Sequence, residues 1–131
     1  MKQKILGIIP ARSGSKGIKD KNIFPLKGKP LIFYTIKEAL RSRFLDRVIV
    51  STDSKKYAAI AKTYKAEVPF LRPKGLAEDF SSPMEAIFHA LDFFKKKERY
   101  IPDIIVWLQP TAPLRKAFHI DEAIKKLLSS R

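Results

Sequence analysis

Ile5-Leu6-Gly7-Ile8-Ile9-Pro10-Ala11-Arg12-Ser13-Gly14-Ser15-Lys16-Gly17, closed by Lys19-Asp20-Lys21-Asn22, is the stretch on which the fold and the chemistry of this chain turn. Its opening, Ile5 to Ile9, is short and apolar enough for a buried strand. Glycine, serine and cations follow at once, so polar chemistry begins where the strand ends. Open α/β sheets bind ligands outside the carboxyl ends of their strands. Backbone N–H groups flanked by Arg and Lys can neutralise polyphosphate oxygens there. A nucleoside triphosphate loop is therefore the first expectation. Composition alone leaves a solvated basic turn as the alternative.

Beyond this stretch, strand and helix patterns alternate. Pro30 reads as a first-turn residue of a helix running to about Ser42, with Ile32, Ile36, Ala39 and Leu40 at helical spacing. Arg47–Ser51 is a second buried strand, and Thr52-Asp53-Ser54 supplies cap candidates for a helix ending near Tyr64. Glu67–Phe70 is a weak strand. Ser82-Pro83-Met84-Glu85 combines capping-box spacing with Pro at the first helical position, so a helix begins there. Its expected apolar stripe is Met84, Ile87, Phe88, Leu91 and Phe94. Asp103–Leu108 is the last strand, and Ile120, Ile124, Leu127 and Leu128 mark a final helix. Apolar strands between amphipathic helices imply an α/β domain over residues 1–131, its mostly parallel sheet covered by helices on both faces. The pattern stops after a helix, so the sheet reads as unfinished, an apparently truncated fold.

Composition narrows the function classes. The chain has 131 residues, 45% of them apolar, which suits one globular domain. It contains no cysteine, which excludes disulfides, zinc ribbons and a thiol nucleophile. No apolar run approaches the ~20 residues that span a bilayer, and the N-terminus lacks a signal-peptide core. A soluble, cytoplasmic protein without a membrane partner is the expectation. The net charge of +14 invites a nucleic-acid reading. Yet residues 1–30 hold eight cations against Asp20 alone, a focus that suits a compact polyanion better than a duplex. The interleaved aromatics of a stacking platform are also missing, so no specific nucleic acid is expected.

Three segments carry the chemistry. In the opening loop, Arg12 can pair two phosphate oxygens in a planar fork, while Lys16 and Lys21 act as point charges. Asn22 offers an amide donor and acceptor to a ribose or base edge. The loop is neither a Walker A motif nor a dinucleotide fingerprint. The second segment, Leu71 to Ser82, sends Arg72 from a strand end and brings Ser81 and Ser82 to a helix N-terminus, a natural anion or ribose site. Ser82 is equally explained as an N-cap, and Arg72 as a surface residue. In the third, Trp107 to Arg115, Pro110 and Pro113 fix an extended loop that holds Gln109 at the sheet edge. Gln109 could read a pyrimidine or a sugar hydroxyl, or serve as a turn residue; Arg115 could meet an acidic ligand or cap the loop. Asp53 could approach a metal but reads better as an N-cap. Glu78-Asp79 could bind a cation but reads better as a solvated loop. His89, mid-helix, and His119, just before a helix, form neither a metal site nor a triad.

Together these segments resemble the CMP-nonulosonate synthetases, or acylneuraminate cytidylyltransferases. The matching stretches are IIPARSGSKGIKDKNI at 8–23, GKPLIFYTI at 28–36, VIVSTDS at 48–54, FLRPKGLAEDFSS at 70–82 and LQPTAPLR at 108–115, with HIDEAI at 119–124. The related Kdo cytidylyltransferases share a similar opening without the continuation from Lys19 to Asn22, and remain the nearer alternative. The resemblance implies a Rossmann-like nucleotidyltransferase fold. It implies that CTP and a nine-carbon keto-acid sugar give CMP-sugar and pyrophosphate, with Mg²⁺ on the phosphates. By resemblance, Arg12 and Lys21 are catalytic and hold the triphosphate, with Lys16 a further phosphate ligand. Asn22, Arg72, Ser81 and Ser82 hold the cytidine portion, and Gln109 contacts nucleotide or sugar. Family members continue well beyond the LQPTAPLR helix, and that part carries the metal-binding aspartates, much of the sugar pocket and the dimer arm. This chain is thus expected to be the CTP-binding part, inactive alone, holding no protein metal ligands.

Overall fold

The computed structural model describes residues 3–12, 21–73, 83–110 and 115–130 and, at Lys21, the backbone. Three strands form its main sheet: β1 (Ile5–Pro10), β4 (Arg47–Ser51) and β5 (Ile104–Trp107), in the order β4-β1-β5 and all parallel. Register aligns Ile8 with Ile49 on one side and with Trp107 on the other. The central strand is buried on both faces, as its unbroken apolar run requires. Because the chain passes from β1 to β4 on one side and then to β5 on the other, the sheet has its topological switch beside β1. That is where open α/β sheets leave a crevice.

Each face of the sheet has its own core. Ile5, Ile9, Val48 and Val50 pack with α1 (Leu31–Leu40), α2 (Lys55–Thr63) and α4 (Ala117–Ser129) through Ile32, Ile36, Tyr57, Ala61, Ile120 and Ile124. Leu6, Ile8 and Ile49 point the other way, onto α3 (Pro83–Glu98) through Ala90 and Phe94. Gly7 lies beside the crowded side of the first core; a Cβ there would stand 3.0 Å from Leu45 Cδ1. The expected layering of helices on both faces is present.

Four local expectations are corrected. Pro30 is the residue before α1, extended at ψ 147°, and the helix spans Leu31–Leu40. Leu40 is exposed, and the buried face adds Thr35 and Glu38. Pro30 belongs instead to a short antiparallel hairpin, β2 (Pro25–Leu26) with β3 (Lys29–Pro30). Lys27 and Gly28, both at positive φ (51° and 81°), turn it.

The weak strand Glu67–Phe70 is reduced to a single parallel bridge of Glu67 to Ile49. Glu67 N–H donates to Val48 C=O and Val50 N–H donates to Glu67 C=O. The next donor in that ladder would be residue 69, which is proline and has no N–H. Pairing resumes out of step, with Arg72 N–H donating to Thr52 C=O at 2.7 Å.

α3 does begin at Pro83, but its buried line is Ala86, Ala90 and Phe94, while Met84 and Phe88 are exposed. Of the expected stripe, Phe94 is in the core and Ile87 packs against it, while the small alanines let the helix approach the sheet in place of Met84 and Phe88. Finally, His119 lies within α4, where its Nδ1 accepts from Lys116 N–H at 3.0 Å. No described helix is long and apolar enough to cross a membrane.

Candidate functional site

The carboxyl ends of β1, β4 and β5 open on one edge, and each delivers a polar residue there. β1 runs on through Ala11 to Arg12, β4 through Ser51 to Thr52 and Asp53, and β5 through Leu108 to Gln109. Ala11 N–H donates to Ser51 C=O at 2.9 Å, and Leu108 N–H to Ile8 C=O at 2.9 Å, so the ladders persist to the edge.

Arg72 is the most informative side chain at this edge. It is 7% exposed, and its Nε and Nη2 have no hydrogen-bond partner among the described residues. Burial pulls the guanidinium below its ordinary range; Asp53 opposes that shift, and Arg12 adds to it. Arg72, Asp53 and Arg12 therefore share one electrostatic environment. A buried guanidinium with idle donors is expensive to maintain unless something else takes them up. The edge is thus suited to accept carbonyl, hydroxyl or phosphate oxygens.

Other expected site residues fall around it. Asn22 is buried at 5% exposure, and its side-chain amide donates to Arg12 C=O at 3.0 Å, tying the far end of the opening loop to its beginning. Gln109 has an exposed side chain, and its C=O accepts from Arg115 Nη2 at 3.1 Å. Arg115 thus takes the loop-capping role; burial pulls it, too, below the usual guanidinium range. Lys16, Ser81, Ser82, the pair Glu78-Asp79 and the side chain of Lys21 lie outside the described residues.

The N-cap assigned to Asp53 is corrected. Ser54 caps α2, its hydroxyl accepting from Tyr57 N–H at 3.2 Å, which leaves Asp53 at the strand end facing the arginines.

Two residues were passed over in the sequence. Thr52, weighed only as a cap, is fully buried; its hydroxyl donates to Ala11 C=O and accepts from Ser54 N–H. Its place directly after a strand, like that of Arg12, was the available signal. His89, set aside as part of neither a metal site nor a triad, packs edge-on against Phe70 at 4.9 Å between centroids, and its buried Nδ1 lacks a partner among the described residues. Burial first, then Arg72, lowers its pKa, against a smaller opposing pull from Asp92. No helical spacing announces that proximity, because it depends on where the chain turns after Pro69. Among the described residues, no group of three His, Asp or Glu could hold a metal ion.

The family model described as Cytidylyltransferase matches residues 6–131. N-acylneuraminate cytidylyltransferase of Escherichia coli O18:K1:H7 is 49% identical over 125 residues, which cover 95% of this chain and 28% of that protein. CMP-N,N'-diacetyllegionaminic acid synthase of Legionella pneumophila is 43% identical over 93% of this chain and 52% of its own length. Among solved structures, CMP:2-keto-3-deoxy-manno-octonic acid synthetase complexed with CTP superposes with a TM-score of 0.78 at 21% identity, over 96% of this chain and 48% of that one. That likeness establishes the Rossmann-like nucleotidyltransferase fold. The chain thus spans between about a quarter and about half the length of these relatives. With the family match running through β1, β4, β5 and the residues at their carboxyl ends, the chain belongs to the cytidylyltransferase family.

Proposed function

We propose that this chain is the CTP-binding part of an enzyme that activates a nonulosonic acid as its CMP derivative. The observation that carries the reading is the buried Arg72 guanidinium, with two donors unpartnered among the described residues, at the edge that also receives Arg12 and Gln109. Arg12 and Lys21 take the triphosphate, with Lys16 as a further phosphate contact. Asn22, Arg72, Ser81 and Ser82 take the cytidine portion, and Gln109 contacts nucleotide or sugar. In the whole enzyme the anomeric hydroxyl of the keto-acid sugar attacks the α-phosphorus. A phosphorus–oxygen bond to the sugar forms, the bond from the α-phosphorus to the α,β-bridging oxygen breaks to release pyrophosphate, and the hydroxyl proton passes to water. The work of this chain's residues is positioning and charge stabilisation: the arginine fork and lysines hold the phosphate oxygens in place while charge shifts to the leaving group.

Among the described residues no group of three His, Asp or Glu could hold Mg²⁺. We assign the metal ligands, most sugar contacts and the dimer arm to the additional length of the relatives. The names of the relatives, for neuraminate and diacetyllegionaminate, support the nonulosonate class without choosing within it. CTP is a cytoplasmic metabolite, and the reading places the chain in the cytoplasm.

Isothermal titration with CTP, UTP, ATP and GTP, each with and without Mg²⁺, tests the reading. It predicts a CTP preference that Arg12→Ala weakens. Absence of heat with CTP, or equal heats for wild type and Arg12→Ala, overturns it. A salt-dependent shift of an RNA probe that CTP does not compete would favour nucleic-acid binding instead.

A further inference from the structure

We infer that Thr52 is a positioning residue that sets the distance between the phosphate-holding and nucleoside-holding segments; the inference rests on the CTP reading above. Three contacts meet at this residue. Its hydroxyl donates to the carbonyl of Ala11, the residue before Arg12, and accepts the N–H of Ser54 at 3.2 Å. Its own carbonyl accepts the N–H of Arg72 at 2.7 Å. Immediately before it, Ser51 C=O accepts the N–H of Ala11 at 2.9 Å. Arg12 in turn holds Asn22 through its carbonyl.

Thr52 is 0% exposed, so its hydroxyl has no water to fall back on, and the short chain of bonds from Asn22 to Arg72 runs through it. The ladder from β4 to the Glu67 stretch is broken at Pro69, so Arg72 does not inherit its position from a continuous strand. It is held by the Thr52 carbonyl on one side and by Phe70 among the rings of His89, Phe93 and Phe94 on the other. A hydroxyl that fixes Ala11 and a carbonyl that fixes Arg72, on one buried residue, tie the two ligand-bearing segments to one reference point.

Positioning of this kind has a signature that local binding does not. A ligand that spans both segments gains from their fixed separation, because the second contact becomes intramolecular; a fragment that touches one segment gains nothing. Thr52→Val keeps the shape and removes the hydroxyl, leaving Ala11 C=O and Ser54 N–H without that partner. The experiment measures dissociation constants for CTP, cytidine and inorganic tripolyphosphate by NMR shift titration, at a temperature where circular dichroism shows every variant folded. For Thr52→Val, CTP should weaken about tenfold while cytidine and tripolyphosphate stay within about twofold. Thr52→Ser, which restores the hydroxyl, should recover the CTP affinity. Equal weakening of all three ligands, or an unchanged CTP affinity, overturns the assignment.

Amide hydrogen exchange gives a second measurement that does not depend on CTP. In Thr52→Val, the Ser54 amide, whose acceptor is the lost hydroxyl, should exchange about tenfold faster relative to Ile49, and in Thr52→Ser it should not. The Arg72 amide keeps its acceptor, the backbone carbonyl of residue 52, and should stay protected. Unchanged protection at Ser54 overturns the inference. If wild type binds no CTP while Ser54 protection falls as stated, the functional reading fails and the positional role of Thr52 stands.

Discussion

Replacing Arg72 with methionine should make the free protein more stable and the nucleotide complex weaker. The guanidinium is 7% exposed, and two of its three nitrogens, Nε and Nη2, have no partner among the described residues. Each buried donor left unsatisfied costs about 1–3 kcal/mol, more when it belongs to a charged group. Attraction to Asp53 returns part of that, and repulsion from Arg12 removes part of the return. Methionine fills much of the same volume and buries an apolar stem, as hydrophobic replacements of buried charges often do without loss. The net expectation is stabilisation by about 1–2 kcal/mol, or roughly 3–8 °C in Tm for a domain of this size. CTP should bind about ten- to a hundredfold more weakly, the value of one or two charge-assisted hydrogen bonds. Differential scanning calorimetry and isothermal titration on the same preparations read both quantities. A Tm below wild type would refute the reasoning, since it would mean that the guanidinium is satisfied within the free fold.

The remaining predictions concern the surroundings of the site. The imidazole of His89 should titrate below the ordinary 6.5 by NMR, and Arg72→Met should raise its pKa; a pKa at or above 6.5 in wild type contradicts the packing described. Because the unfolded chain takes up that proton at about pH 6.5 and the fold only at lower pH, stability should fall as pH drops below 6.5, and His89→Gln should remove that loss in urea titrations. Arg47 pairs with Glu67 and Glu98 at 2.5 and 2.9 Å and stacks on Phe94 and Tyr100, so Arg47→Met should destabilise by about 1–2 kcal/mol in urea melts while leaving CTP affinity within twofold. Glu38, buried on α1, accepts the Ala117 N–H at 2.9 Å; Glu38→Ala should therefore destabilise by about 1–3 kcal/mol and raise hydrogen exchange in the first turn of α4.

Much of the architecture was legible because the sheet is parallel and buried. Ile5 to Ile9 and Val48 to Val50 have no polar alternation, and that alone separates a covered strand from a half-exposed one. The start of α3 was legible because Pro83 fits only a first-turn position. Errors arose where geometry overrides hydrophobicity: Ala86 and Ala90 face the sheet because they are small, and Pro69 breaks a ladder whose neighbours favour strand.

Arg12 and Gln109 were legible as residues after strand ends; Arg72 was read from a strand that the fold reduces to one bridge, and its alternative reading as a surface residue is overturned by its burial. Thr52 follows the same rule but was absorbed into a capping argument that Ser54 satisfies. His89 was beyond reach, since its nearness to Arg72 depends on a helix crossing over a turn. Asn22 was read for what its amide could offer a ligand, whereas the fold uses the amide donor to hold Arg12 C=O.

The central claim is that the edge formed by Arg12, Asn22, Arg72 and Gln109 takes CTP. Backbone amide shifts recorded by NMR during a CTP titration test it most directly. Saturable shifts concentrated at Arg12, Asn22, Thr52, Arg72 and Gln109, and moved to about ten- to a hundredfold higher CTP in Arg72→Met, are the result expected. Shifts centred on Lys95, Lys96 and Lys97 at the exposed end of α3, or no saturable shift at all, would contradict it.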